Sequence, residues 1–323
     1  MVDVAGSIGV VPLHPRLRLL GSSFGGHTSI RRGAGYDIAG SRPYQPGDHV
    51  HAIDWKASAR MTAVRDDDEF IVRARYAEEM PRVVILCDRR PEMSLFPPDL
   101  PWLAKPVAVA WCVKLIAASA VHERALVGYL DYASHGDQGE PAGQPFWRAP
   151  RARPSGWRGD LVETILEYLD GGFDAPADNV ERSLHFLALG DHGAMTSGSF
   201  LFVLSDFVEM PSPEAWGEAI GRGWDIVPVI VQDPVWEQSF PPLGGVAASF
   251  ADVEERRFLT VRLSEREAAE RRDAHERRLQ GILGEFTDLG LDFVLVSAAE
   301  PVAISTAFLE WAEQRVLGAG RLR

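Results

Sequence analysis

Four short apolar runs, each closed by a polar residue, constrain this chain most: VVILCD (83–88), ALVGYLDY (125–132), FLFVLSDF (200–207) and DIVPVIVQD (225–233). A continuous run of aliphatic and β-branched residues, with no polar alternation, fits a strand covered on both faces, the condition inside a parallel sheet. DFVLVS (292–297) reads as a further strand, and 145–148 as a short edge strand. Between them, helices are expected over 103–121, 159–170, 179–189, 213–222 and 302–317. Strand and helix in alternation specify an α/β fold: a doubly wound, mostly parallel sheet with helices on both faces.

The chain divides into two parts on this reading. Residues 1–80 form a β-rich N-terminal segment, rich in Gly and Arg, and 81–318 form the α/β domain. One segment at about 236–264 interrupts the alternation; FPPLGGVAASFADVEERRFLTVRLS within it reads as a small β-rich insertion of hairpins. A charged helix follows, opened by Ser264 with Glu267 three residues on, a capping box. Its EREAAERRDAHERR run is a solvated face with pairs such as Glu267–Arg271.

Composition bounds the function classes. Hydrophobic residues are 46% and charged residues 24% of the 323, enough for a sizeable core. A formal charge of -13, with arginines scattered among acids, leaves no basic patch for nucleic acid or an anionic membrane. The longest apolar stretch, LAKPVAVAWCVKLIAASAV, is broken by Lys105, Pro106 and Lys114, so a core helix is expected and no membrane insertion. Cys87 and Cys112 sit in apolar runs and read as buried free thiols. The N-terminal residues lack a basic region ahead of an apolar one, and a cytoplasmic protein is expected.

Ligands of open parallel sheets bind at the carboxyl ends of the strands, where the strand order reverses. Asp88 closes one strand and Ser205-Asp206 another; if those strands are neighbours, two carboxylates and a hydroxyl share one crevice, a set suited to Mg2+. Arg89 and Arg90 stand within two residues of Asp88, and either guanidinium could neutralise the pair instead. The stretch SRPYQPGDHVHAIDWKASAR (41–60) holds a second cluster, Asp48, His49, His51 and Asp54. It approaches the H-x-H-x-D-H pattern of zinc hydrolases, but its Asp comes one residue late and no His follows. A metal-dependent hydrolase built on these four residues is the alternative function. The competing reading is a turn at Pro46-Gly47 feeding a strand, HAIDW, that buries Ile53 and Trp55, with Asp54 and Arg60 paired beneath it. No G-x-S-x-G elbow or P-loop occurs, so no catalytic residue and no bound cofactor is expected.

Arg42-Pro-Tyr44-Gln-Pro46-Gly47-Asp48, followed by Ile53-Asp54-Trp55 and Ala59-Arg60, resembles the signature R-x-Y-x-P-G-D…I-D-W-x-x-x-A-R of the domain of unknown function 58 family. Val83–Asp88 with Met93, Leu204–Phe207 and Val231–Pro234 extend the resemblance over roughly 20–300. It implies a von Willebrand factor A-like domain with strand order 3-2-1-4-5-6. It also implies a MoxR-type AAA+ ATPase as partner and an adaptor or chaperone-type role toward an unknown client protein. The adhesion-type metal site of that fold reads D-x-S-x-S, and here Arg90 and Glu92 stand at the two serine positions. A degenerate site at Asp88, Ser205 and Asp206 with no metal is therefore expected. Arg42, Tyr44, Gly47, Asp48, Asp54, Trp55 and Arg60 are expected to be structural or docking residues. Arg89, Arg90, Glu92, Asp178 and Asp206 are expected on an exposed recognition face at the crevice.

Overall fold

The computed structural model describes residues 9–15, 32–44, 53–65, 70–76, 81–95, 104–136, 141–150, 158–190, 195–252 and 257–321. The chain forms two compact units, Leu17–Pro81 and a larger one of Met1–Arg16 with Arg82–Arg323. The described residues 9–15 thus group with the larger unit instead of the expected 1–80 segment. Val11 and Leu13 are buried there, the Val11 N–H donates to Ser119 Oγ at 2.9 Å, and Arg315 donates to the His14 carbonyl at 3.0 Å.

In the small unit, β1 (Arg32–Pro43) pairs antiparallel with β2 (Ile71–Tyr76), with the register irregular between Gly33 and Gly40. Between them lies α1 (Trp55–Arg65), where a strand through HAIDW was expected. Among the described residues Ile53 forms an isolated antiparallel bridge to Val72, Asp54 N donates to the Ile71 carbonyl at 2.8 Å, and the helix begins at the next residue. The reason is Asp54. Its carboxylate accepts the N–H groups of Lys56 and Ala57, each at 3.1 Å, an N-cap that starts a helix at the next residue. Ser58 then ties the helix to β2, donating to the Asp54 carbonyl at 2.9 Å and accepting from Ile71 N at 2.8 Å. Trp55, expected to be buried, is 60% exposed and meets Phe70 edge-on at 5.9 Å. At the first turn of a helix its side chain leaves the sheet face that a strand would have given it.

The large unit begins with β3 (Arg82–Cys87), a 3-10 turn at Pro91–Ser94, α2 (Lys105–His122), β4 (Leu126–Asp131) and β5 (Phe146–Arg148). Then come α3 (Arg158–Asp170), α4 (Asn179–Leu189), β6 (Phe200–Ser205), α5 (Pro213–Gly221) and β7 (Asp225–Val231). The hairpin β8 (Ala247–Asp252) and β9 (Arg257–Arg262) precedes α6 (Glu265–Asp288), β10 (Val294–Val296) and α7 (Pro301–Arg321). Six strands form one sheet in the order β5-β4-β3-β6-β7-β10, parallel throughout except for the edge pair β4/β5. Counted along the chain, that order is 3-2-1-4-5-6, and the two margins are strands of only three residues each.

Both faces are covered, which is why the strand sequences do not alternate. Val84, Leu86, Leu201, Val203, Ile226 and Ile230 pack under α4, α5 and α6, where Phe207, Trp216 and Phe286 meet ring to ring. On the opposite face Phe200 and Phe202 lie against α7, with Trp311 edge-on to Phe202 at 5.9 Å. Helix α2 carries an apolar window long enough to span a membrane, but 67% of it is buried, packed against β3, β4, α3 and α7. Burying a side chain such as Phe202 contributes about 2–3 kcal/mol. The inserted hairpin sits over its own small cluster of Phe240, Leu263 and Ala268. The capping box at α6 is formed in both directions between Ser264 and Glu267.

Candidate functional site at the sheet's switch point

β3 lies between β4 and β6, so the chain leaves β3 toward one side and returns on the other; the crevice of a doubly wound sheet opens there. Cys87 pairs with Leu204, and Asp88 N donates to the Leu204 carbonyl at 2.8 Å. This register sets Asp88 beside Ser205 and Asp206. The carboxylates meet, and of the two guanidinium groups that could lie between them it is that of Arg90.

Arg90 Nη2 is 2.8 Å from Asp88 Oδ2 and 2.5 Å from Asp206 Oδ1. Its Nε donates to both Asp88 oxygens at 3.2 and 3.0 Å. Asp88 also accepts from Arg90 N, Asn179 Nδ2 and Ser205 Oγ, at 3.0, 2.9 and 2.7 Å. Asp206 Oδ1 takes the Val208 N–H at 3.0 Å, and Oδ2 takes Lys105 Nζ at 2.8 Å. Lys105 is fully buried at the start of α2 and also donates to Glu237, whose second oxygen accepts from Asp233 N at 2.7 Å. Gln232 Nε2 closes the ring on the Asp206 carbonyl at 2.6 Å.

Burial raises the Asp206 carboxyl, but Lys105 and Arg90 outweigh it and hold it at about 2. Burial likewise opposes the charges on Arg90 and Lys105, and their carboxylates more than restore them, so both titrate above their ordinary range. Glu237 goes the other way: burial lifts it despite Lys105. The ammonium's two partners are therefore unequal, and Asp206 is the one held firmly ionised. A carboxylate whose oxygens already accept from cations and N–H groups is not available as a general base.

Arg89 points away from this network. Its guanidinium lies over the rings of Tyr168 and Phe173, 4.5 Å from each centroid, with Nε 3.7 Å from Asp131 Oδ2. Asp131 is held by Tyr129 Oη at 2.6 Å, by Ala133 N at 3.1 Å and by His135 Nε2 at 2.9 Å. Nε and Nη2 of Arg89 have no hydrogen-bond partner among the described residues. Gly171 makes room: a Cβ there would stand 2.2 Å from Arg89 Nη2.

The expected recognition face is corrected by these positions. Arg89 and Arg90 are only 1% and 3% exposed, so neither can meet a partner. Arginine side chains default to the surface; these two are taken inward by carboxylates and rings contributed by later segments of the chain. Asp206 is buried as well, while Glu92 is partly exposed in the 3-10 turn and Asp178 is exposed. In the motif, Arg42 pairs with Val72 in β1/β2, Tyr44 N donates to the Phe70 carbonyl at 2.8 Å, and Arg60 is exposed on α1. Gly47, Asp48, His49 and His51, with the turn at Pro46, lie outside the described residues. Asp54, the one described member of the proposed zinc cluster, spends a carboxylate oxygen on its helix cap. Among the described residues no group of three or more His, Cys, Asp or Glu is placed to hold a metal. Both cysteines are buried and free.

Sequence reasoning missed Lys105, Asn179 and Glu237. Lys105 had a signal, an ammonium at the very start of an apolar helix, where burial demands a carboxylate partner. Asn179 and Glu237 had none.

Residues 40–142 match one family, described as Protein of unknown function DUF58. The match runs from the Arg42–Arg60 motif through β3, α2 and β4. No curated protein matches the chain. Among solved structures it is similar to the conserved hypothetical protein BatB from Bacteroides thetaiotaomicron, at 16% identity over 72% of this chain and 99% of that one, TM-score 0.42. An aerotolerance-related membrane protein from Bacteroides fragilis aligns at 13% identity over 72% of this chain and 99% of that one, TM-score 0.44. The pilus adhesin SpaC from Lactobacillus rhamnosus GG aligns at 12% over 74% of this chain and 30% of its own, TM-score 0.38.

Proposed function

We propose that this chain is a non-enzymatic binding protein with a von Willebrand A-like core. It serves in the cytoplasm as an adaptor or chaperone-type partner of a MoxR-type AAA+ ATPase, in assembling or activating another protein. One observation carries the non-enzymatic half. At the switch point, where a doubly wound sheet places its reacting groups, Asp88 and Asp206 are committed to Arg90, Lys105 and neighbouring N–H groups. What the crevice end offers a partner is its loop rim. The class of partner rests on the resemblance of the Arg42–Arg60 motif and on the family match over 40–142.

With Arg89 and Arg90 buried, contacts at this rim fall to exposed side chains such as Asp178, Val208 and Glu209, with Glu92 partly accessible. The test is a calorimetric titration against the MoxR-type ATPase encoded nearest to this gene, with and without nucleotide. Binding in the micromolar range, about -8 kcal/mol, is expected, weakening as salt rises. Asp178→Arg with Glu209→Arg should weaken it by about 1 kcal/mol each while the fold stays intact. No binding at low salt in either nucleotide state overturns the reading.

A further inference from the structure

We infer that Arg90 and Lys105 are a built-in replacement for a divalent cation at the switch point, so that the Asp88–Asp206 pair is permanently occupied and closed to Mg2+ and Mn2+. Two carboxylates and a serine hydroxyl at the ends of adjacent parallel strands are hard oxygen donors of the kind Mg2+ takes. These side chains are turned the wrong way for it. Arg90 Nη2 stands between Asp88 Oδ2 and Asp206 Oδ1, at 2.8 and 2.5 Å, where an ion shared by the two would have to sit. Ser205 Oγ gives its proton to Asp88 and accepts from Phe207 N at 3.0 Å, so the hydroxyl is engaged in both senses. Asn179 presents its amide nitrogen to Asp88 at 2.9 Å, while its carbonyl oxygen faces the Arg89 N–H at 3.4 Å. A metal site would need that oxygen on the inside.

Charge counting agrees. Asp88, Asp206 and Glu237 carry at most three negative charges against the two of Arg90 and Lys105. A divalent ion added to both cations would put four positive charges against three in a desolvated space, a large cost. The ion would have to expel Arg90. That guanidinium is tethered two residues from Asp88, so its effective concentration is high and it cannot diffuse away. The inference stands apart from the ATPase reading; each can fail alone.

The experiment compares wild type, Arg90→Ser and Ser205→Ala for Mn2+ and Mg2+ binding by calorimetry, and for thermal midpoint in EDTA and in millimolar Mn2+. Wild type should give no saturable heat from this site and an unchanged midpoint. Arg90→Ser removes the resident cation; its midpoint in EDTA should fall, and Mn2+ should raise it by at least about 2 °C. Micromolar metal binding by wild type that Ser205→Ala weakens would overturn the inference. So would an Arg90→Ser protein that folds in EDTA and gains nothing from Mn2+. Should Arg90→Ser fold under neither condition, the wild-type titration and its Ser205→Ala control decide alone.

Discussion

Arg89 and Arg90 are neighbours, both buried, and the chain handles their two guanidinium groups in opposite ways. Arg90 is met on its edge, where the N–H donors point: two carboxylates take them, with short bonds on both sides. Arg89 is met on its flat faces by Tyr168 and Phe173, with Asp131 at the looser distance of 3.7 Å and two nitrogens without a hydrogen-bond partner among the described residues. Removing one member of a buried ion pair of good geometry is costly, because the charge left behind stays uncompensated in a poor solvent. A cation between rings leaves mostly a hole. Residue type and burial are the same for the two; what differs is what each would abandon.

The largest effect should come from Arg90→Met, which strands Asp88 and Asp206 without their shared cation. Urea denaturation should show a loss of about 3–5 kcal/mol. Arg89→Met should cost no more than about 1 kcal/mol, since Asp131 keeps its bonds to Tyr129 and His135 and a flexible apolar chain fills between the rings. Equal losses at the two positions would break the distinction.

Acid separates the regions next. Asp206 is held down to about 2 from an ordinary 3.8. Its contribution is therefore fully present above about pH 4 and disappears as pH falls toward 2. Glu237 is lifted above its ordinary 4.5, so it favours the folded state at low pH and withdraws that support as pH rises through its folded value. Urea midpoints measured from pH 5 down to pH 2 should fall along an acid limb that Asp206→Asn removes, and Glu237→Gln should steepen.

Smaller effects test the second region and the small unit. Gly171→Ala drives a methyl group against the Arg89 guanidinium and His135 Cε1, and should cost about 1–3 kcal/mol. In the Arg89→Met background the share of that cost due to the guanidinium should vanish, leaving the contact with His135, and a double-mutant cycle reads that share directly. Asp54→Ala removes the cap of α1 and should cost about 0.5–2 kcal/mol. Trp55→Ala, at a side chain 60% exposed, should stay within about 0.5 kcal/mol in the same urea assay.

The sheet was readable because its signal is local and redundant: short apolar runs such as FLFVLS fit doubly covered strands by length and composition, and such strands alternating with helices imply a parallel sheet. The meeting of Asp88 with Asp206 followed from that topology. At Trp55 the reading failed because the apolar pattern of HAIDW outweighed a single capping carboxylate, which decides helix or strand through two N–H groups. Arg89 and Arg90 were placed outside because the groups that bury them arrive from elsewhere: Asp206 from the end of β6, Tyr168 from α3, Phe173 from the loop beyond. Local pattern carries no information about such distant partners. Lys105 shows the reverse case, where a charge in an apolar helix announces a buried partner without naming it.

The two margins of the sheet carry a consequence of their own. A strand at the end of a sheet leaves one row of N–H and C=O groups without a neighbour, and a long flat row invites another chain to pair with it. Here β5 and β10 offer three residues apiece. Beside β5, Pro150 can donate no N–H, and it is packed so closely over Gly128 that a Cβ there would lie 2.7 Å from its Cδ. A core this rich in continuous apolar strands would be hazardous to expose along its flanks. Keeping the flanks to three residues limits the template that a second copy, or a stray peptide, could extend by strand addition.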